Sequence, residues 1–256
     1  MTIREQIKQQ RKEVMKNGTR AEKWAYFFEY YTLHLIGVIA LIAITACIIV
    51  GKAKKPQIVL NGIVLNVFDY ENKDPVGDFA KAYIDYEGLK PSKYELALNS
   101  SLTFRVGKDE SSQYNDYETS QIILTQIGAG EIDFIISPQS AVIEYANNDV
   151  FLNLKDVLSE EDYERYEPYF LYVDRTVIKA KDELVNEGGN PDKIPTPDPT
   201  KPEEMEDPIP VLIDVSGCSK LDSIYNYTSE TLVFGVTVKA PHQNKISSFL
   251  KFLFKE

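Results

Sequence analysis

Two cysteines, two histidines and one tryptophan are all that 256 residues contain of those types. Cys47 and Cys218 are far apart, and residues 56–256 hold only Cys218, so no disulfide framework supports that region. His34 and His242 are too few for most histidine-based metal centres. Missing too are the G-x-x-x-x-G-K-[ST] loop, the G-x-G-x-x-G turn, H-E-x-x-H, C-x-x-C and G-x-S-x-G. Their absence excludes the common phosphate cradles, zinc hydrolases, thiol redox centres and nucleophile elbows. Cys218 as a nucleophile would need a histidine, and outside the first 55 residues only His242, beside Pro241, exists. Asp69, Glu71 and Asp74 lie close together, but Lys73 interrupts them and no glycine follows at the calcium-loop position. A chain that is not an enzyme, with no metal and no cofactor, is therefore expected.

Basic charge is also scarce, except at one end. The net charge is -11, yet residues 1–55 carry ten Lys/Arg against four Asp/Glu, and residues 56–256 carry 18 against 35. The acidic part is a poor match for nucleic acid or for an anionic lipid surface. So sharp a break divides the chain into parts suited to different surroundings.

The apolar exception is Leu33–Val50, LHLIGVIALIAITACIIV, which has no Asp, Glu, Lys or Arg. A helix of about 20 apolar residues crosses the hydrocarbon core of a bilayer, and the run reaches that length over about 31–51. Trp24, Phe27, Phe28 and Tyr31 recur at helical spacing just before it, where aromatic rings favour the headgroup zone. Seven Lys/Arg precede the span and three follow it. The positive-inside rule then puts the N-terminus in the cytoplasm and residues 56–256 outside the cell. Residues 1–18 read as a basic cytoplasmic helix ending at Asn17-Gly18. Thr19-Arg20-Ala21-Glu22 is a capping box that starts a second helix over 19–51. Ile44-Thr45-Ala46-Cys47 fits a bacterial lipobox, cut before Cys47. The apolar Ile48-Ile49-Val50 beyond it favours an uncleaved single-pass anchor instead.

Beyond residue 56 the pattern alternates. Strands are expected at 57–68, 94–104, 132–136, 170–180, 209–215 and 231–239. Helices are expected after Asp74-Pro75, over 117–127 with Ile123, Leu124 and Ile127 inward, from Ser137-Pro138 to about Asn147, over 159–167, from Ser219 to about Tyr227, and from Asn244. Seven of the 13 prolines lie between 191 and 210, which makes 186–208 an acidic, solvated, Pro-rich loop. The expected fold class is α/β: one doubly wound, mostly parallel sheet covered on both faces.

Residues 124–158, LTQIGAGEIDFIISPQSAVIEYANNDVFLNLKDVL, carry a resemblance. Ala129-Gly130-Glu131-Ile132-Asp133, then a strand and a helix, then Phe151-Leu152-Asn153-Leu154, are similar to the first lobe of bacterial extracellular solute-binding proteins of ABC importers. Thr231–Lys239, Pro241 and Lys245–Phe254 are similar to that family's returning strand and terminal helix. The anchor, with Lys23-Trp24, Phe27, Tyr30-Tyr31 and His34-Leu35-Ile36-Gly37, resembles single-pass membrane proteins of low-GC Gram-positive bacteria. The resemblance implies a one-lobe, periplasmic-binding-protein-like domain that binds a small-molecule solute or docks on a membrane partner such as a transporter. Only residues 148–230 separate the third helix from the returning strand, too few for a full second lobe. A scaffold or signalling partner without a small ligand is the alternative.

In open α/β sheets ligands lie beyond the carboxyl ends of the strands. Those ends place Asp69, Tyr70, Arg105, Ser137, Gln139, Ser140, Asp214 and Ser216 as the candidate ligand-binding residues.

Overall fold

The computed structural model describes residues 2–67, 74–104, 110–225 and 230–254. The chain divides into two units, residues 1–55 and 56–256.

The first unit is two helices, α1 (Ile3–Asn17) and α2 (Arg20–Lys54). The expected capping box starts α2: the Thr19 N–H donates to the Glu22 carboxylate at 2.7 Å, and the Glu22 N–H donates to the Thr19 hydroxyl at 3.3 Å. Trp24 stacks on Phe28 with ring centroids 5.8 Å apart, and Phe27 on Tyr31 at 5.4 Å, so the four rings form one continuous face. Tyr31–Ile49 has a mean hydropathy of 2.5 and none of it is buried. Among the described residues it is the one helix long and apolar enough to cross a membrane.

The second unit is α/β, built on one six-stranded sheet. In chain order it comprises β1 (Gln57–Val64), α3 (Pro75–Tyr86), β2 (Tyr94–Asn99), α4 (Glu110–Gly128), β3 (Phe134–Pro138), α5 (Gln139–Ala146), α6 (Leu154–Val157), α7 (Glu160–Tyr166), β4 (Phe170–Asp174), α8 (Arg175–Asn186), β5 (Pro208–Asp214), β6 (Leu232–Val236) and α9 (Ile246–Phe254). The strand order is β2-β1-β3-β6-β5-β4.

The sheet is mixed, which corrects the mostly parallel expectation. β1 pairs in parallel with β2 and β3, whereas β6 is antiparallel to β3 and β5, and β4 is antiparallel to β5. Two connections explain this. A parallel return needs a crossover long enough to span the sheet. Between β5 and β6 the expected helix at 219–227 is instead a chain of tight turns over its described part. The N–H groups of Cys218, Leu221 and Ile224 each bond the carbonyl three residues back. Cys218, Leu221 and Ile224 are all buried, and that spacing of three matches three residues per turn. Between β4 and β5 the chain returns to where β4 ended, because the Arg175 N–H bonds the Asp207 carbonyl at 3.0 Å. β5 therefore starts beside the end of β4 and must run the opposite way.

Residues 175–180, expected as strand, belong to α8. Asp174 is the reason: its carboxylate accepts from the Thr176 N–H at 2.9 Å and so caps a helix.

Layers of helices cover both faces of the sheet. One face buries Leu60, Val64, Phe134, Ile136, Phe234 and Ile213 under α3, α9 and the 218–225 turns. Phe249 of α9 lies at its centre, with ring centroids 4.5 Å from Phe134, 5.2 Å from Tyr83 and 5.8 Å from Phe234. The other face buries Ile63, Leu65, Ile135, Val233 and Leu171 with Ile123, Val142 and Ile178 of α4, α5 and α8. Leu124, expected to point inward from α4, is 41% exposed, and Ile123 and Ile127 take the core positions.

The Pro-rich segment has definite partners. It forms turns at Pro191–Lys193 and Pro202–Glu204 and runs beside β4, the last strand of the sheet. The Tyr172 N–H donates to the Pro199 carbonyl at 2.8 Å, and the Lys181 ammonium to the Thr196 hydroxyl at 2.8 Å. An open strand edge invites pairing with another chain. This segment straps one side of that edge.

Candidate functional site

β1, β2, β3 and β5 point their carboxyl ends toward the same side of the sheet. Asp69, Tyr70 and Arg105 lie outside the described residues. The other five candidates divide into two groups. Asp214 and Ser216 hold the chain leaving β5: the Asp214 carboxylate accepts from the Ser216 N–H at 2.9 Å, and the Ser216 hydroxyl accepts from the Leu232 N–H at 2.9 Å. Both residues therefore lock a connection. Ser137 is fully buried, and its hydroxyl donates to the Pro138 carbonyl at 2.9 Å.

Gln139 and Ser140 do face a concavity. The Gln139 N–H donates to the Thr231 carbonyl at 2.8 Å, and the Ser140 hydroxyl donates to the Glu230 carboxylate. Gln139, Ser140, Ile143, Glu230 and Thr231 surround an open hollow of about 380 Å³. Ser140 also lines a second cavity, of about 390 Å³, between α4 and α5. Its other walls are Phe104, Ser120, Leu124, Ala141, Tyr145, Asn148 and Val150.

The walls of this second cavity are braced. Asn66 has φ +58°, in the left-handed region that asparagine tolerates better than most residues. From there its amide accepts the Phe104 N–H at 2.6 Å and donates to the Phe104 carbonyl at 2.8 Å. Thr119 donates to the Thr103 carbonyl at 3.0 Å, which fastens the same stretch to α4. The Tyr145 hydroxyl donates to Ser120 at 2.8 Å, joining α5 to α4, and the Phe104 ring packs edge-on against Tyr145 at 6.0 Å. Sequence reasoning missed Asn66, Ser120, Tyr145 and Asn148, and took Phe104 only as the last residue of the strand expected at 94–104. They come from separated segments, and no spacing connects them.

The residues that carry the family resemblance are placed elsewhere. Gly130 has φ +69°, and Asp133, at the amino end of β3, is fully buried. The Asp133 carboxylate accepts from the Asn61 N–H at 2.8 Å and the His242 N–H at 2.6 Å, with His242 Nδ1 3.0 Å away. Asp133 thereby clasps β1 to the turn that precedes α9. Phe151 bridges Thr237, the Leu152 N–H donates to the Val236 carbonyl at 2.8 Å, and Asn153 caps α6. These roles are structural.

No protein-family model matches the chain. No curated protein and no solved structure is significantly similar to it either.

Reactive chemistry is sparse. Cys218 is 3% exposed, and burial pushes its thiol up to about 12, so it is protonated and inert near neutral pH. Among the described residues no three His, Cys, Asp or Glu side chains cluster as a metal site. Glu87 bonds Lys245 at 3.0 Å and Asp162 bonds Lys251 at 3.3 Å, which ties the end of α3 to the turn before α9, and α7 to α9 itself. Burial would raise both carboxyls. For Glu87, bonds from Ser248 and Lys245 outweigh that effect, and for Asp162, bonds from Ser247, Ser159 and Lys251 do so; both groups are lowered.

Proposed function

We propose that this chain is a membrane-anchored, non-catalytic binding module. In this reading α2 crosses the membrane once and leaves basic α1 in the cytoplasm and the acidic α/β unit outside the cell. The outer unit resembles one lobe of a solute-binding protein and takes a small-molecule solute at the carboxyl side of its sheet. The observation that carries the reading is the pair of adjoining hollows that share Ser140: the outer one lies at the carboxyl end of β3, on the side where open α/β sheets receive ligands, and the second runs from there between α4 and α5. The inert Cys218 and the structural role of the Asp133–His242 pair argue against an enzyme.

A second reading is favoured by the way Asp214 and Ser216 spend their polar groups on the β5–β6 connection. With those groups occupied and no room for a second lobe, the same surface would dock on a membrane protein such as a transporter, or serve as a scaffold without a small ligand.

Thermal unfolding of the full chain in detergent micelles, against a panel of sugars, amino acids, amines and short peptides, separates the two. A ligand at about 100 times its Kd adds ~2.7 kcal/mol. For a unit of this size that is a rise of roughly 5–10 °C. A saturable rise supports the solute module. A flat response across the panel favours docking.

A further inference from the structure

We infer that α1 is an interfacial helix that lies on the anionic lipid headgroups of the cytoplasmic leaflet. This assignment rests on the membrane-anchor reading above and adds a second point of attachment to it. None of the residues of α1 is buried, and Ile3 is 76% exposed, Met15 47% and Ile7 37%. A helix of 15 residues without tertiary packing is marginal in water, so a surface has to support it. Its cap, in which the Thr2 N–H donates to the Glu5 carboxylate at 2.8 Å, secures only the first turn. Helical spacing sorts the side chains. Ile3, Ile7 and Val14 recur at intervals of four and seven and share one face. Arg4, Lys8, Arg11 and Met15 repeat that spacing one residue further on, which places them beside the aliphatic face, with Gln9 and Glu13 on the far side. The helix carries five Lys/Arg against two Asp/Glu. An aliphatic strip bordered by basic side chains suits the boundary between headgroups and acyl chains. The strip enters that boundary, and the long basic stems reach back to the phosphates.

The neighbouring helix decides for lipid over a cytoplasmic protein. Gly18, with φ -74° and ψ 149°, is extended and ends α1, and Arg20 begins α2, so only Gly18-Thr19 separates the two. α2 has 35 residues and is therefore about 52 Å long. A bilayer with its headgroups is ~40–45 Å thick, and the ordinary tilt of a spanning helix takes up most of the difference. The amino end of α2 then stays at the level of the headgroups, and α1 begins there. Anionic lipid of the inner leaflet attracts lysine and arginine held close to it. The tether also gives α1 a high effective concentration at that surface, so a short aliphatic strip is enough.

The test is backbone hydrogen exchange, read by mass spectrometry, on the full chain in lipid nanodiscs. One set of discs is neutral phosphatidylcholine, and the other contains in addition phosphatidylglycerol. The amides of α1 are expected to exchange at least tenfold more slowly in the anionic discs, with the difference falling at about 1 M salt, where screening is short-ranged. Ile3→Gln combined with Ile7→Gln keeps every charge and a comparable helix propensity, and it removes most of the aliphatic strip. In anionic discs that variant should exchange at least threefold faster than the parent. Arg4→Gln combined with Arg11→Gln should shrink the difference between the two discs. Equal exchange of parental α1 in both discs would overturn the assignment and leave the helix to a protein partner. A double Ile→Gln variant protected like the parent would overturn it too, because charge alone would then hold the segment. If α2 is protected in both discs while α1 fails these tests, the anchor reading stands and only this assignment falls. A chain that enters neither disc defeats both.

Discussion

Asp174 joins more of the outer unit than any sequence pattern implies, and replacing it is the most exacting test of the fold. The residue is 4% exposed. Its carboxylate accepts four hydrogen bonds: from the Thr176 N–H at 2.9 Å, the Thr176 hydroxyl at 2.6 Å, the Glu206 N–H at 2.9 Å and the Asp207 N–H at 3.2 Å. One side chain thus ends β4, caps α8 and fastens the far end of the Pro-rich strap. Removing a helix cap costs about 1 kcal/mol. Bonds to a charged acceptor contribute about 1.5–3 kcal/mol each, but these share one carboxylate and their donors regain water, so they do not add. Asp174→Ala should therefore lose roughly 2–3 kcal/mol, a fall in Tm of about 5–10 °C.

The same site has a signature in pH. Burial raises the Asp174 carboxyl, yet the bonds from Thr176 and from the N–H groups of Glu206 and Asp207 outweigh that and lower it from 3.8 to about 2. The folded state thus holds the proton less tightly than the unfolded chain. The stabilisation is complete above about pH 4 and is lost as pH falls from there toward 2. After allowance for solvent screening it amounts to ~1–2 kcal/mol. Asp174→Asn, which cannot ionise, should lack that share of the slope. Unfolding of the full chain in detergent, followed by the near-ultraviolet dichroism of its tyrosines between pH 7 and 2, reads both effects. An Asp174→Ala protein within 2 °C of the parent, or identical pH profiles for parent and Asp174→Asn, would refute the reasoning.

Replacing residues 187–206 by a short Gly/Ser linker should leave the unit folded but about 1–2 kcal/mol less stable, because Tyr172, Lys181 and Asp174 lose strap partners while loop closure changes little. The uncovered β4 edge should also self-associate with rising concentration, seen by light scattering, and a monodisperse deletion with parental Tm would show that the strap does neither. Gly62→Ala should cost ~2 kcal/mol or more in chemical denaturation, since a Cβ there would meet the Phe134 ring at 2.3 Å; an unchanged midpoint would mean the ring can move aside. External protease on intact cells should remove the acidic unit and leave an N-terminal fragment. Full protection would reverse the orientation. Cys47→Ser should remain in the membrane fraction with an uncleaved N-terminus, whereas a mature chain beginning at a lipidated Cys47 would establish the lipobox instead.

The sequence alone determined the features that depend on neighbours along the chain. The apolar 31–49 helix, the Thr19–Glu22 box, the Asp74-Pro75 helix start and the existence of a strand near 132–136 follow from composition and short-range spacing. Periodicity misled where capping overrode it. Val177 and Ile178 suit a strand, but Asp174 begins a helix before them, and residues 218–225 have the apolar spacing of tight turns rather than of a full helix. Strand direction was beyond local reading. Whether β5 and β6 run with or against their neighbours depends on where the strap and the 218–225 turns return the chain, and long-range bonds such as Arg175–Asp207 and Val215–Leu232 decide that. The cavity is tertiary for the same reason. Asn66, Phe104, Ser120 and Tyr145 share no spacing, and they meet because the parallel β1–β3 pair and the helices α4 and α5 bring their segments to one side of the sheet. A side chain records its own preference along the chain, but a wall built from four segments exists only once the sheet has been ordered.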